Sequence, residues 1–176
     1  MDIDNLPIGD EAPEIFNAVI EVPKGSHNKY EFDEKLGVFA LDRVLYSPMH
    51  YPLDYGLIPS THSEDGDHLD VLVIGGDPTF TGCVVRVRPI GLFKMIDGGD
   101  EDFKILGVQD DNPRLTTIKK LSDVKTFNPH LLDEIAHFFT VYKDLEKKEV
   151  KVLGWEDEVR AKEEIKRAQA AYSSQK

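Results

Sequence analysis

Two stretches concentrate the side chains able to do acid chemistry. "SEDGDHLDVLVIGG", residues 63–76, sets Asp65, Asp67 and Asp70 directly before an apolar run, and "DGGDEDFK", residues 97–104, sets Asp97, Asp100, Glu101 and Asp102 beside glycines. Carboxylates this close repel one another, so either open water or bound cations must offset the repulsion. A solvated acidic turn is the plain reading of either cluster alone; finding both at strand ends favours cations. Oxygen ligands without cysteine or paired histidine suit hard divalent ions, Mg²⁺ or Mn²⁺ foremost. A calcium loop of the EF-hand type fails, because from Asp65 the turn glycine falls on Asp70 and the closing glutamate on Gly76.

The clusters have basic counterparts. Lys24, Lys29 and Glu31 lie in "VPKGSHNKYEFD" with Glu21 just before, Arg43 lies in "ALDRVL", and Tyr142 and Lys143 lie in "FFTVYKDLE". Lysine and arginine grip phosphate, and tyrosine hydroxyls add hydrogen bonds. A carboxylate floor for cations facing a basic wall suits phosphoryl transfer. Lys24 reads as a surface cation, Tyr142 as core in the plain alternative, and His27, His50, His62, His68, His130 and His137 as structural or exposed. Asp100 and Glu101 read, in the plain alternative, as solubilising charge on an exposed turn.

These side chains need a scaffold. From Phe16 to Gln109 the chain alternates short Val-, Ile-, Phe- and Leu-rich runs with Gly, Pro and Asp, which predicts strands at "FNAVIEVP", "KYEFD", "GVFALDRVL", "LDVLVIGG", "CVVRVRPIGLFKMID" and "DFKILGVQ". That is enough for a mainly β barrel of about five strands. "DEKLG" reads as a hairpin turn, and "YSPMHYPLDYGLIPSTH", residues 46–62, as a long functional loop. Helical spacing of Leu131, Leu132, Ile135, Phe138, Phe139, Tyr142 and Leu145 predicts a helix entered through Asn128 and Pro129. A second helix over "EDEVRAKEEIKRAQAAY" turns Val159, Ala161, Ile165, Ala168 and Tyr172 inward. If residues 65–70 were extended, Asp70 would face away from Asp65 and Asp67, so a turn at Gly66 or His68 must bring it round.

The whole of residues 1–176 suits one domain, with 40% hydrophobic and 31% charged residues. A net charge of -12 argues against nucleic acid, and no apolar run approaches the ~20 residues of a membrane span. The single Cys83 and the lack of a signal-peptide pattern point to a cytoplasmic protein.

In order along the chain, "KYE", "DR", "YPLDYG", "DGDHLDVLV", the spaced Asp97 and "DFK", and "YKD" resemble the soluble inorganic pyrophosphatases of the single-domain, metal-dependent type, family I. The likeness runs from about Glu21 to Lys148 and continues in "GWEDEVRAKEEI". The resemblance implies a five-stranded OB-type Greek-key barrel with packed α-helices, hydrolysing diphosphate to two orthophosphates with several Mg²⁺ per site, Mn²⁺ or Zn²⁺ being substitutes. It implies Asp67 as general base; Asp65, Asp70, Asp97 and Asp102 as metal ligands; and Glu21 and Glu31 as supports for metal and water. Lys29, Arg43, Lys104, Tyr142 and Lys143 become phosphate contacts, and Tyr51 and Tyr55 line the site. It further implies a homo-oligomer, a hexamer, with "PHLLDEIAHFF" as a candidate contact. Two departures stand out: His68 where the family favours proline, and Gly98 where it favours glutamate. A non-enzymatic OB-type module binding divalent ions or polyanions is the competing reading.

Overall fold

The computed structural model of the chain describes residues 3, 5–64 and 66–175. Eight strands and three helices follow in the order β1 (Phe16–Val22), β2 (Asn28–Asp33), β3 (Val38–Val44), β4 (Asp54–Ile58), β5 (Leu69–Ile74), β6 (Val84–Asp97), β7 (Asp100–Gln109), α1 (Leu121–Phe127), α2 (Leu131–Val141), β8 (Val150–Asp157) and α3 (Glu158–Gln175). Hydrogen bonding runs β1-β4-β5-β7-β6, and β6 returns to β1, so five strands close into a ring. The β5–β7 pair is parallel and the other pairs of the ring are antiparallel. This is the OB-type barrel. The long β6 pairs with β1 through its first residues and with β8 through its last, while β2 and β3 form a separate hairpin.

The strands that read as continuous apolar runs are buried on both faces. In β5, Val71 and Val73 pack with Ile105, Val87 and Leu92, where Ala161, Ile165 and Ala168 of α3 join them. Leu72 and Ile74 point the other way, to Leu106, Val108 and the covering helices α1 and α2. Burial on both sides removes the need for alternation. Gly56 permits the closest approach within the ring, since a Cβ there would stand 1.9 Å from the Val19 carbonyl oxygen.

Several sequence expectations change. The 46–62 segment contains β4, five residues all buried, too short and too framed by proline and tyrosine to stand out. Two further elements had no counterpart among the expected ones: β8, which contains "VKVLGW", and α1, which has only seven residues. Asn128 does not cap α2: its N–H bonds to Val124 O at the end of α1, and its Oδ1 accepts the His130 amide. Val159, on the first turn of α3, and Leu145, beyond α2, are exposed. The large apolar residues of α2, Leu131, Leu132, Ile135, Phe138 and Phe139, lie in the chain's own core. Among the described residues, no helix is long and apolar enough to cross a membrane.

Candidate active site

A cleft of about 310 Å³ opens over the barrel wall. Its lining collects Glu21 from β1, Lys29 and Glu31 from β2, Tyr51 and Tyr55 around the start of β4, and Asp67 and Asp70 around the start of β5. Asp97, Asp102 and Lys104 join from the β6–β7 hairpin, and Tyr142 and Lys143 from the end of α2. Twelve of the fourteen residues singled out in the sequence therefore meet in one place. Asp65 lies outside the described residues. Arg43 stands beside the cleft: it faces Lys29 across the hairpin but turns its guanidinium to Asp42, at 2.6 Å, and to Glu146, at 3.2 Å.

The parallel β5–β7 pair creates the floor. It sets Asp70 opposite Lys104, and the period of two puts Asp102 on the same face of β7 as Lys104. Lys104 Nζ donates to Asp70 Oδ2 and to Asp102 Oδ1, each at 2.6 Å, and the Tyr55 hydroxyl donates to Asp70 Oδ2 at 2.5 Å. Nearby, Lys143 pairs with Asp97 and Lys29 with Glu31. The ammonium of Lys104 also sits over the rings of Tyr55 and Phe139, at 5.5 and 5.3 Å, where ring faces favour a cation.

Asp70 comes round through a turn at residues 63–68. The Ser63 amide donates to Asp67 O, and Gly66 at φ +93° takes the left-handed conformation that other residues resist. The buried Thr61 closes the base of the turn, its Oγ1 accepting the Leu69 amide at 2.9 Å.

Burial and charge tune these groups in opposite directions. Glu21 is 7% exposed and accepts the Phe32 amide at 3.1 Å. Burial first, and Asp70 second, push its carboxyl up to about 8. Burial likewise raises Asp102; Lys104 opposes this and Asp70 adds to it. For Lys104 burial alone would lower the pKa, but Asp70 and Asp102 outweigh it and hold the ammonium charged. The hydroxyls of Tyr51, Tyr55 and Tyr142 are all raised, by burial above all, so each is a hydrogen-bond donor near neutral pH.

The donor set is oxygen-rich and contains carboxylates from four strands or turns, which suits hard divalent cations. Among the described residues, no three of His, Cys, Asp and Glu are grouped as a metal cage; Asp70 and Asp102 are paired with Lys104, and Asp97 with Lys143. Lys104 between two carboxylates marks where positive charge is stabilised.

The lining also includes Phe32, Glu34, Leu57, His62, Gly66, His68 and Phe139, which the sequence reading had not given a place in the site. His62 and His68 carried no ligand-like spacing, and Phe139 read as core, which it also is. Glu146, with a side chain only 6% exposed, holds Arg43 from 103 positions away, a pairing without any local signal.

Comparison with known proteins shows the family to which the chain belongs. The family model for inorganic pyrophosphatase matches residues 18–173. An inorganic pyrophosphatase of Nostoc sp. is 52% identical over 172 residues, covering 98% of this chain and 99% of its own. One of Synechocystis sp. is 54% identical over 157 residues, covering 89% and 90%. The crystal structure of inorganic pyrophosphatase from Thermus thermophilus superposes with a TM-score of 0.94 at 46% identity, covering 98% of this chain and 99% of that one.

Proposed function

The chain belongs to the inorganic pyrophosphatase family and is an inorganic diphosphatase, and we propose that it splits diphosphate into two orthophosphates by in-line attack of water within the carboxylate and lysine cleft. The observation that carries this reading is the convergence of Asp67, Asp70, Asp97 and Asp102 with Lys29, Lys104 and Lys143 on one cavity. The same family membership argues against a non-enzymatic OB-type module.

Asp70, Asp97 and Asp102 would hold Mg²⁺, with Asp65 as a fourth ligand and Glu21 and Glu31 supporting. A divalent ion held there would supply Lewis-acid chemistry, lowering the pKa of a water and offsetting phosphate charge. Asp67, on the turn that leads into β5, is the group that takes the proton of the attacking water. Lys29, Lys104, Lys143 and Arg43 bind phosphate oxygens and stabilise the charge that moves to the departing phosphate. Their present carboxylate partners keep these cations fixed before substrate arrives. Tyr51, Tyr55 and Tyr142, protonated at neutral pH, add directed donors.

One domain, a cytoplasmic location and a homohexamer complete the proposal; sedimentation at low and high concentration tests the last. The activity test is phosphate release from diphosphate with Mg²⁺, comparing wild type with Asp67→Asn. We expect metal-dependent release and a loss of roughly 10²–10⁴-fold in the variant, the usual weight of a general base. Wild-type turnover in a folded Asp67→Asn protein removes Asp67 from that role.

A further inference from the structure

The turn that carries Asp67 is held from outside the barrel. The His62 amide donates to the Ala168 carbonyl of α3 at 2.9 Å, tying the entry of the turn to the middle of the last helix. One turn further along α3, the ring of Tyr172 lies 5.2 Å from that of His62 and 6.2 Å from that of His68. The two imidazoles themselves stack, 6.1 Å apart and 8° from parallel. His68 Nδ1–H donates to the Thr61 carbonyl at 2.9 Å, and Arg167 reaches Glu64 at 3.2 Å. His62 Nδ1 is buried without a hydrogen-bond partner among the described residues, so ring packing rather than hydrogen bonding of that nitrogen fixes the imidazole. Both histidines line the cleft, whereas Tyr172, 8% exposed, supports them from behind.

We propose that Tyr172 is a positioning residue for catalysis: through its packing on His62 and His68, α3 latches the 62–68 turn and fixes where the Asp67 carboxylate stands. The kinetic part of this inference rests on Asp67 acting as the base. Without a proline at position 68 the backbone of the turn has no fixed φ there, and the stack of three rings supplies the restraint instead. A carboxylate misplaced by about 1 Å costs up to ~10²-fold in rate, while substrate contacts made by lysines elsewhere in the cleft are unaffected.

The test compares Tyr172→Leu, which keeps buried apolar bulk, with Tyr172→Phe, which keeps the ring, in wild-type and Asp67→Asn backgrounds. Hydrogen exchange is read over residues 62–68. Tyr172→Leu should lower kcat on the order of tenfold, leave KM within about twofold and speed exchange in the turn but not in β5 or β7. Tyr172→Phe, which keeps the ring packing on both imidazoles, should recover most of both readouts relative to Tyr172→Leu. In the Asp67→Asn background, Tyr172→Leu should cost nothing further, because the positioned group is gone. Arg167→Gln, which removes the exposed contact to Glu64 together with the ion pair to Glu164 inside α3, should speed exchange in the turn a few-fold at most. Unchanged exchange over the turn in Tyr172→Leu, or a full additional loss of kcat in the double variant, overturns the latch. Wild-type kcat in Asp67→Asn alone overturns the general-base reading instead, and the exchange measurement still decides the latch.

Discussion

Glu21→Gln should stabilise the metal-free protein at alkaline pH and leave it almost unchanged in acid. Glu21 is buried on β1, and its carboxyl ionises near 4.5 in the unfolded chain but at about 8 in the folded one. Between those values the folded state holds a proton that the unfolded state has released, so stability falls as pH rises through the window. The contribution is fully present below pH 4.5 and lost above about 8. At about 1.4 kcal/mol per pH unit, the full loss is roughly 5 kcal/mol, an upper figure because local relaxation and water entry soften it. Glutamine keeps the acceptor for the Phe32 amide and cannot ionise. Urea unfolding in chelator at pH 4.5, 6.5 and 8.5 therefore gives curves for the two proteins that coincide at the lowest pH and separate upward by a few kcal/mol. Taking the difference between variant and wild type cancels every other titrating group that the substitution leaves alone. Parallel pH dependences would refute the burial argument, and a less stable variant at pH 8.5 would reverse its sign.

Two further outcomes follow from the same charges. Lys104→Met keeps the volume but leaves the half-buried Asp70 and Asp102 without their ammonium, so thermal unfolding in chelator should show a loss of up to about 3 kcal/mol, and added Mg²⁺ should raise the midpoint more than in wild type. Equal stability without metal would contradict it. Glu146→Ala removes the anchor of the Arg43 Nε, and steady-state kinetics should show KM for diphosphate raised roughly three- to tenfold with kcat little changed, the weight of one hydrogen bond; an unchanged KM takes Arg43 out of substrate binding.

The site was more legible in the sequence than the fold that builds it. Acidic residues beside glycines at strand entrances and short basic motifs are local patterns, so Asp67, Asp70, Asp97, Asp102 and Lys29 could be picked out before any pairing was known, whereas Lys104 came only through the resemblance in "DFK". That Asp70 and Lys104 oppose each other depends on the parallel pairing of β5 with β7, strands with the whole of β6 between them, and no local pattern encodes it. β4 hid because a strand buried on every residue shows no alternation, and its glycine reads as a loop signal although Gly56 is there to let β1 come close. Val159 is exposed because it stands two residues before Ala161, about 200° round the helix and so on the opposite side of α3; Ala161, Ile165, Ala168 and Tyr172 follow the buried period. His62 and His68 were set aside for lack of ligand spacing, yet their role is packing, and packing partners on a helix a hundred residues away leave no mark in the turn itself.

The charge inventory of the cleft imposes an order on binding. Its lining contains seven carboxyl side chains, Glu21, Glu31, Glu34, Asp67, Asp70, Asp97 and Asp102, against the lysines Lys29, Lys104 and Lys143. Even with Glu21 protonated, carboxylates outnumber ammoniums two to one. Diphosphate is itself a polyanion, so the bare cleft repels it, and the lysines meant for phosphate are engaged by carboxylates at the same time. Divalent cations that neutralise the carboxylates remove both obstacles at once, and by linkage substrate must strengthen cation binding by the same factor. Calorimetric titration with a methylene-bridged, non-hydrolysable diphosphate analogue makes this measurable: in chelator no binding is expected at millimolar analogue, and with Mg²⁺ binding should appear and tighten as Mg²⁺ is raised. Binding of equal strength in chelator would mean that the lysines alone overcome the carboxylates, and would break the link between the acidic clusters and the phosphate-binding wall.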